Sequence, residues 1–439
     1  MHLSREVSNQ NLQVIESLDD LLKIFQDGGR DPFHFQIGME FERFLVNQKT
    51  LRALPFEGEQ GIEKFLNEVS LHIPGWEKVL DQGKLISLKK GDTAITLEPG
   101  GQVEISCRTY RNQQCLYHDL QLLDCKMKEI ASNMGAIFYE AGIHPTETVE
   151  TSPWVPKSRY KWMKEYYAKR SYAALEMMAL TTSIQVNFDY TDEVDAKKKI
   201  FVSSFLSPIL AGVFANASIE RGKPNGFMTR RIPIWNKTDP LRCGTPEFFV
   251  DGSFTFEKYR DYALDIPMYF ALRDGNYVDA KNQTFRQFLN ARGGSIGPVT
   301  QGDWEFHLTT LFPEVRLKNH LEFRILDSNS VDIVVSIAVF WKGLFHHPNS
   351  VDRWYHFFQA YQKKDLDDAL TDVSLKGLAG KFADQPILKL ARELFVESQA
   401  NLKNDIESQH EIEFLKPMKE ILDRGQSPAQ QQVMSLVQE

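Results

Sequence analysis

Two short alternating segments joined by a Pro-Gly-Gly step, TAITLEPGGQVEIS at residues 93–106, constrain the fold of this chain more than any other stretch. Side chains of a β-strand point to opposite faces in turn, which predicts one polar face made of Gln102, Glu104 and Ser106. The Pro-Gly-Gly step predicts a bend or bulge beside the carboxylates, where a ligand can approach the backbone. Taken alone, the stretch also fits an ordinary hairpin with one solvated face.

The same alternation of carboxylate or amide groups with apolar residues occurs at residues 35–46, 181–190 and 320–327. The predicted polar faces carry Glu40 and Glu42 in the first segment, Ser183, Gln185, Asn187 and Asp189 in the second, and His320, Glu322 and Arg324 in the third. One such strand is an ordinary amphipathic edge. Four of them, with helices to bury their apolar faces, predict a mainly antiparallel sheet in an α+β fold.

Length and composition are those of a soluble globular protein, with 439 residues, 42% of them hydrophobic and 25% charged. This length suits one large domain or two ordinary ones. We interpret residues 1–439 as a single catalytic domain, with a core at about residues 34–346 and a helical C-terminal part at about 350–439.

Charge and segment composition exclude several classes of protein. A net charge of −8 argues against a broad nucleic-acid-binding surface. The chain has no apolar run of the roughly 18 residues that a membrane span needs, and its polar N-terminus lacks the core of a secretory signal. The four cysteines match neither a zinc pattern nor a disulfide framework, so we expect reduced thiols and a cytoplasmic protein.

The polar faces of the four strands predict a concave, acid-rich site. Five glutamates would meet there: Glu40, Glu42, Glu98, Glu104 and Glu322. Like charges raise one another's pKa, and oxygen-rich clusters of this kind bind Mg²⁺ or Mn²⁺. Four arginines could bind carboxylate or phosphate in bidentate fashion: Arg159, Arg231, Arg316 and Arg324. Divalent ions and arginines in one cleft are suited to phosphoryl transfer from a nucleotide.

Common motifs of other enzyme classes are missing. The sequence contains no Gly-x-x-x-x-Gly-Lys-Ser/Thr and no Gly-x-Gly-x-x-Gly, so ions rather than a glycine loop would hold the phosphates. It also contains no Gly-x-Ser-x-Gly and no His-Glu-x-x-His. A segment rich in Trp, Tyr, Lys and Arg at residues 145–172 predicts a binding loop leading into a helix, although a surface segment with snorkelling lysines fits too.

Taken together, these residues resemble the plant-type glutamate–cysteine ligase family, a group that is also found in proteobacteria. The resemblance runs from about Gly38 to Arg324, and LEPGGQ-x-E together with FPEVRLK is its most specific part. The matching stretches are IGMEFERF, ITLEPGGQVEIS, PKSRYKWM, TTSIQVNFDY, GKPNGFMTRRIPIW, DYALDIPMYF, TFRQFL and DWEFHLTTLFPEVRLKNHLEFR.

The resemblance implies a funnel-like antiparallel sheet flanked by helices, similar to glutamine synthetase and guanido kinases. It implies ATP-dependent ligation of L-cysteine to the γ-carboxylate of L-glutamate through γ-glutamyl phosphate, the first step of glutathione biosynthesis. The cofactors would be ATP and Mg²⁺, with Mn²⁺ as an alternative. Glutamate, cysteine and ATP would be the partners of a monomer or homodimer that binds neither nucleic acid nor membrane.

The resemblance also implies roles for individual residues. The metal ligands would be Glu40, Glu42, Glu98, Glu104 and Glu322. The catalytic residues would be Arg316 and Arg324, with Arg324 facing the transferred phosphoryl group. Substrate would contact Arg159, Tyr160, Arg231 and Trp235, and the metal and nucleotide side would hold Gln185 and Asn187.

The chain departs from the plant pattern in two places. After Arg324 it continues ILDSNS, where plant members have a glycine-rich run and Pro-Trp. The redox-switch cysteines of the plant enzymes have no clear counterparts, and no transit peptide is present, which favours a bacterial cytoplasm. Two alternatives stay open: a ligase of the same family with a different amine acceptor, and a non-catalytic metal-binding or interaction protein with the same fold.

Overall fold

A computed structural model of the chain describes residues 11–438. Its strands are β1 (Ile37–Asn47), β2 (Glu77–Asp81), β3 (Lys84–Lys90), β4 (Thr93–Leu97), β5 (Val103–Ser106), β6 (Ala136–Tyr139), β7 (Ser183–Phe188), β8 (Ile219–Glu220), β9 (Lys223–Pro224), β10 (Phe270–Arg273), β11 (Asn276–Asp279), β12 (Val315–Leu317), β13 (Leu321–Asp327), β14 (Lys381–Phe382) and β15 (Gln385–Pro386).

The helices alternate with these strands in the first three quarters of the chain and follow one another in the last quarter. They are α1 (Lys23–Gln26), α2 (Ile62–His72), α3 (Gln113–Asn133), α4 (Ser158–Ala168), α5 (Tyr172–Leu180), α6 (Glu193–Val213), α7 (Arg231–Asn236), α8 (Glu247–Val250), α9 (Phe256–Leu264), α10 (Phe285–Asn290), α11 (Gln301–Leu308), α12 (Val331–Phe345), α13 (Pro348–Phe358), α14 (Lys363–Lys376), α15 (Ile387–Asn404), α16 (Lys416–Arg424) and α17 (Pro428–Gln438).

One antiparallel sheet dominates the described part of the chain. Its strand order is β12-β13-β7-β1-β5-β4-β3-β2, and β6 pairs with the second half of β1. The long central strand β1 pairs with β7 on one side and with β5 on the other. The predicted α+β fold with a mainly antiparallel sheet is confirmed.

Two layers of helices cover the apolar face of the sheet. Helix α12 is buried along almost its whole length, because its sequence is apolar on every side, and it packs on β1 and α3. Helix α6 packs beside it against β13. The later helices α13, α14, α15 and α16 pack on α6 and α12, so the C-terminal part forms an outer layer on the side away from the polar face.

A buried arginine interrupts the apolar face of β1 directly behind the polar face. Arg43 is fully buried; its Nη1 lies 3.2 Å from Glu140 and also contacts Asp124. Its guanidinium group stacks on the ring of Phe138, 4.1 Å from the centroid. Because a buried charge needs a partner, these contacts attach β1 to α3 and to the end of β6.

The Pro-Gly-Gly step forms a tight turn between β4 and β5. Gly101 has a φ of +85°, which favours glycine, and a Cβ on Gly100 would lie 2.1 Å from the carbonyl oxygen of Ala179. The close approach predicted for a ligand is therefore made by the backbone at the end of α5. Gln102 follows this turn and is buried, and its Nε2 donates to the carbonyls of Met178 at 3.1 Å and Thr181 at 3.0 Å, so its side chain connects the turn to the end of α5.

Among residues 11–438, no helix combines the length and the apolar character needed to cross a bilayer.

Candidate active site

The strand register brings the four predicted polar segments together on one face of the sheet. Glu42 on β1 lies opposite Glu104 on β5. Asn187 on β7 lies opposite Glu322 on the neighbouring strand β13. Cross-strand neighbours have Cβ atoms only about 5 Å apart, so residues far apart in the chain form one continuous site.

One side of this site, the acidic half, consists of Glu40, Glu42, Glu98 and Glu104. Hydroxyl and amide donors hold its carboxylates in place. Glu104 accepts hydrogen bonds from Thr96 Oγ1 at 2.6 Å and Ser106 Oγ at 2.9 Å. The amide N–H of Ser183 donates to Glu42 at 2.7 Å. These bonds fix the directions of the carboxylates.

Burial and mutual repulsion make the acidic half reluctant to ionise. Burial first, and then the charges of Glu98 and Glu104, raise the pKa of Glu42 to about 8. Burial, Glu322 and Glu104 raise the pKa of Glu40 to about 7. The pKa of Glu104 is raised for the same reasons, with burial as the main cause. At neutral pH this half therefore needs a proton or a cation to balance its charge.

An unpartnered amide oxygen lies beside these carboxylates. Asn187 is 4% exposed, and its Nδ2 donates to Glu40 Oε1 at 2.8 Å, while its buried Oδ1 has no partner among the described residues. Carboxylate and amide oxygens are the donors that Mg²⁺ and Mn²⁺ prefer, so the donor chemistry fits such an ion. Within residues 11–438, no three Asp, Glu, His or Cys side chains are already arranged around a metal-ion position. The five predicted ligands stay a prediction.

The other side of the site, the cationic half, consists of Glu322, Arg316, Lys318 and Arg324. Glu322 is fully buried, and its carboxylate forms salt bridges with Nη2 of Arg316 at 2.6 Å and with Nζ of Lys318 at 2.7 Å. Arg324 contacts the same carboxylate and also bonds Gln185 on β7. Although burial opposes ionisation, Arg316, Lys318 and Arg324 hold the pKa of Glu322 well below its usual range.

Lys318 was not predicted from the sequence. A signal for it exists, because Arg316 pairs across the β12–β13 hairpin with Glu322, and Lys318 lies at the turn of that hairpin. Alternation along β12 places Arg316 and Lys318 on the same face. The sequence Arg316-Leu317-Lys318 before the turn therefore indicates two cationic side chains on the face that carries Glu322.

The predicted substrate residues Arg159 and Tyr160 lie at the start of α4, beside Glu98. The hydroxyl of Tyr160 donates to the carbonyl of Leu97 at 2.6 Å and lies 3.3 Å from Glu98 Oε1. Arg159 Nη2 lies 3.9 Å from Glu98, and its buried Nε has no partner among the described residues. Arg159 therefore retains donor capacity for an acidic ligand.

The other two predicted substrate residues lie on α7. Arg231 is buried, and its two terminal nitrogens donate to the carbonyls of Ile325 at 2.7 Å and Arg324 at 2.8 Å. The ring of Trp235 meets that of Phe312 edge-on, with centroids 5.8 Å apart, and both rings line a narrow pocket next to Arg324. Arg231 thus binds the main chain of β13 in this structure.

A polar pocket with a volume of about 140 Å³ opens at the opposite end of β7, beyond Asn187. His320 forms one wall; its Nδ1 bonds Asn319 Oδ1 at 2.8 Å, and its buried Nε2 has no partner among the described residues. Asp189 forms another wall and is held by the amide of Gln36 at 2.8 Å. The pocket thus offers unused polar atoms without a strong net charge.

The amino-acid sequence is similar to those of a known protein family. A family model described as glutamate–cysteine ligase family 2 covers residues 36–437. The chloroplastic glutamate–cysteine ligase of Brassica juncea is 35% identical over 416 residues, which span 94% of this chain and 79% of that relative. The chloroplastic glutamate–cysteine ligase A of Oryza sativa subsp. japonica is 33% identical over 429 residues, spanning 96% of this chain and 86% of that relative. The chain belongs to glutamate–cysteine ligase family 2, and the predicted family is confirmed.

Among solved structures, a glutamate–cysteine ligase from Francisella tularensis in complex with AMP is similar, with a TM-score of 0.52 and 13% identity. The match covers 92% of this chain and 85% of that chain. At this level of identity the similarity concerns the fold alone, which agrees with the predicted ligase architecture.

Proposed function

We propose that this protein joins L-cysteine to the γ-carboxylate of L-glutamate at the expense of ATP, forming γ-glutamylcysteine for glutathione synthesis. Membership of the glutamate–cysteine ligase family supports the reaction. The single structural observation that carries the proposal is the adjacency, on one sheet face, of a carboxylate cluster and an arginine-lysine cluster. Such a face suits the binding of metal-nucleotide phosphates beside a developing negative charge.

The reaction needs an activated carboxylate, because an ionised carboxylate reacts poorly with an amine. The γ-phosphoryl group of ATP passes to the glutamate carboxylate, and ADP departs from the acyl phosphate. The cysteine amine then attacks the acyl carbon, inorganic phosphate leaves and the nitrogen loses a proton. No covalent bond to the protein forms in either step, so positioning and charge stabilisation account for catalysis.

Arg316 and Arg324 are suited to stabilising the transferred phosphoryl group. Their guanidinium groups stay charged at any physiological pH, and Glu322 holds them at fixed positions. Carboxylates of the acidic half, together with Asn187 Oδ1, would hold Mg²⁺ or Mn²⁺. Such an ion would neutralise the phosphates and lower the pKa values of the glutamates that bind it.

We assign the glutamate substrate to the end of the site that carries Arg159, Tyr160 and Trp235, with Arg231 behind it. The unused nitrogen of Arg159 supports this assignment, because an α-carboxylate would satisfy it. We assign the nucleoside to the polar pocket at His320 and Asp189, with Gln185 and Asn187 between the two ends. This order sets the phosphates of ATP between the two halves of the site.

The decisive experiment is ADP release by the purified protein with Mg²⁺, ATP and glutamate, with and without cysteine, followed by product mass. A γ-glutamylcysteine peak that requires all three substrates supports the proposal. Turnover with another amine from a panel, but none with cysteine, would keep the acyl-phosphate chemistry and change the acceptor. No glutamate-dependent ADP release with any amine would refute ligase activity and favour a non-catalytic role.

We further propose a cytoplasmic location and a monomeric or homodimeric state. The four cysteines are free thiols in the structure, which supports a reducing compartment. Fractionation of the source cells tests the location. Light scattering on the purified protein gives the number of subunits.

A further inference from the structure

Strand β13 contains a bulge beside the cationic half of the site. Phe323 pairs with Val186 on β7, but the next pair joins Leu326 to Ile184, so three steps on β13 match two on β7. One extra residue reverses the alternation of faces beyond it. Leu326 therefore lies in the core, and Asp327 lies on the polar face opposite Ser183.

A bulge leaves backbone carbonyls without their ladder donors, and buried carbonyls need partners. Arg231 supplies the missing donors. One of its terminal nitrogens lies 2.8 Å from the carbonyl oxygen of Arg324, and the other lies 2.7 Å from that of Ile325. One guanidinium group thus satisfies both carbonyls of the bulge. It also prevents the extra residue from slipping back into the ladder.

A second set of bonds connects the same two segments. Thr229 lies two residues before Arg231, and its hydroxyl donates to Asp327 Oδ1 at 2.9 Å. The amide of Asn216 donates to the other carboxylate oxygen at 2.9 Å. Both side chains are buried, with Thr229 1% exposed and Asp327 2% exposed. Residues 229–231 therefore hold β13 at the bulge and directly after it, in an arrangement that we call the bulge bracket (Thr229, Arg231, Asp327).

The bulge bracket contacts the backbone of Arg324 directly. Arg324 is a residue of the bulge; its amide donates to the carbonyl of Glu314 at 2.9 Å and its own carbonyl accepts from Arg231, so its backbone is held from two sides. Its guanidinium group contacts Glu322 and Gln185 across β7. A shift of the bulge by one residue would turn the guanidinium group to the other face of the sheet.

We propose that Thr229 and Asp327 are positioning residues that act through the bulge on Arg324 and so set the rate of phosphoryl transfer. This inference rests on the proposed ligase function. The sub-ångström placement of charge donors is what gives them their effect on a transition state. Thr229 therefore matters for turnover although, among the described residues, its side chain bonds Asp327 alone.

The test compares Thr229→Val, which keeps the shape but removes the hydroxyl, with Thr229→Ser, which keeps the hydroxyl. We expect kcat to fall about tenfold or more in Thr229→Val, with the KM for ATP within about twofold, and to recover largely in Thr229→Ser. Thr238→Val is the matched control. Thr238 is also buried, and its hydroxyl bonds the carbonyl of Ile234 at 3.0 Å at the other end of α7, away from the bulge.

A double-mutant cycle with Arg324→Lys separates positioning from general destabilisation. If Thr229 acts through Arg324, the double variant should be hardly slower than Arg324→Lys alone. Fold losses that multiply, or a Thr229→Val enzyme as fast as wild type, would overturn the proposal. If Thr229→Val does not fold, Asp327→Asn takes its place in the same cycle.

Failure of the ligase function would be recognised separately. The cycle is valid with any amine that the wild-type protein turns over, so a different acceptor leaves it intact. If the wild type has no turnover, crystal structures of the wild type and Thr229→Val decide. The proposal expects the Arg324 side chain to move in the variant while the rest of the β7–β13 ladder stays in place, and an unmoved Arg324 would overturn it.

Discussion

The two halves of the site solve the same problem, buried charge, in opposite ways. In the cationic half, Glu322 is surrounded by Arg316, Lys318 and Arg324, and its pKa lies well below the usual range. In the acidic half, burial and neighbouring carboxylates raise the pKa of Glu40 to about 7 and that of Glu42 to about 8. The negative charge of Glu322 is neutralised by cationic side chains of the same chain, whereas the charge of the acidic half is neutralised only by bound protons or cations.

Under the proposed function, this difference would let one sheet face bind a highly charged nucleotide. A surplus of carboxylates recruits divalent cations, and the cations bring phosphate with them. Preformed arginines next to the carboxylates meet the negative charge that moves during transfer. The two halves meet at Asn187 although their residues are far apart in the sequence. Glu40 accepts a hydrogen bond from Asn187, and Glu322 lies opposite Asn187 on the neighbouring strand.

The largest expected effect comes from removing a carboxylate of the acidic half. Glu104→Gln keeps an oxygen to accept from Thr96 or Ser106 but lowers the negative charge available to a cation. We expect a loss of turnover of about a hundredfold or more with an unchanged or higher Tm, because a repelling charge disappears. ADP release and thermal unfolding measure both. Wild-type turnover would remove Glu104 from the site, and Glu77→Gln on the exposed edge strand β2 is the matched control.

The same substitution in the cationic half should act on stability in the opposite direction. Glu322→Gln leaves Arg316, Lys318 and Arg324 close together without their common counter-charge. Removing one partner of a buried charge cluster destabilises a protein by about 3–5 kcal/mol, so we expect a clear fall in the urea midpoint. Equal midpoints for Glu322→Gln and Glu104→Gln would mean that the two halves are not electrostatically different.

Arg159 tests the substrate end of the acidic half. Arg159→Lys keeps the positive charge but loses the planar fork, so we expect the KM for glutamate to rise about tenfold while that for ATP changes little. Steady-state kinetics with each substrate varied gives both constants. Lys161→Ala, an exposed position on the same helix, is the control. An unchanged glutamate KM would move the glutamate site elsewhere.

The pH dependence of stability sharpens the contrast further. From the ordinary value of 4.5 up to about 8, the folded protein holds protons on Glu40 and Glu42 that the unfolded chain has lost. Stability without metal should therefore fall as the pH rises through this window. Mg²⁺ should raise Tm by a few degrees more at pH 8 than at pH 6, since protons compete with the ion at the lower pH. An equal Mg²⁺ effect at both values would contradict this assignment.

The smallest effect is expected from the thiols. Burial raises the pKa of Cys243 to about 12 and that of Cys107 still higher, so neither is reactive. Cys115 and Cys125 are exposed but ten positions apart on α3, about 15 Å along the helix axis, which is too far for a disulfide. Activity should change less than about twofold between reducing and oxidising buffer. A strong activation by oxidant would contradict this expectation.

Strand alternation alone predicted most of the acidic half. Glu40, Glu42 and Glu104 lie on the polar faces where period-two spacing puts them, because the apolar residues between them must enter the core. The resemblance to a known family predicted the fold class and the ligase family, and both are confirmed. The hydrogen bonds of Gln102 to the end of α5 were not predicted, because its partners lie more than 70 residues away in the chain.

Single sequence patterns were less informative about groups whose partners lie far away in the chain. In β13 the regular alternation ends at Ile325, where a second apolar residue, Leu326, follows directly, and this local break alone does not say which partner would hold a bulge there. Substrate binding by Arg231 stays a prediction, and the contacts of its terminal nitrogens with the bulge carbonyls were not foreseen. A guanidinium group suits both partners equally well, and only the position of the neighbouring backbone distinguishes them.

By itself, the sequence determined the main strands and, as far as the bulge in β13, the face of each strand that carries the predicted site residues, because these follow from local spacing and from the exclusion of polar groups from the core. Only the tertiary structure decided which strands are neighbours. That order divides the charges into a self-balanced half and an unbalanced half, and the division depends on distances between residues as far apart as Glu42 and Arg324. Electrostatic energy varies with those distances, and no local pattern in the chain encodes them.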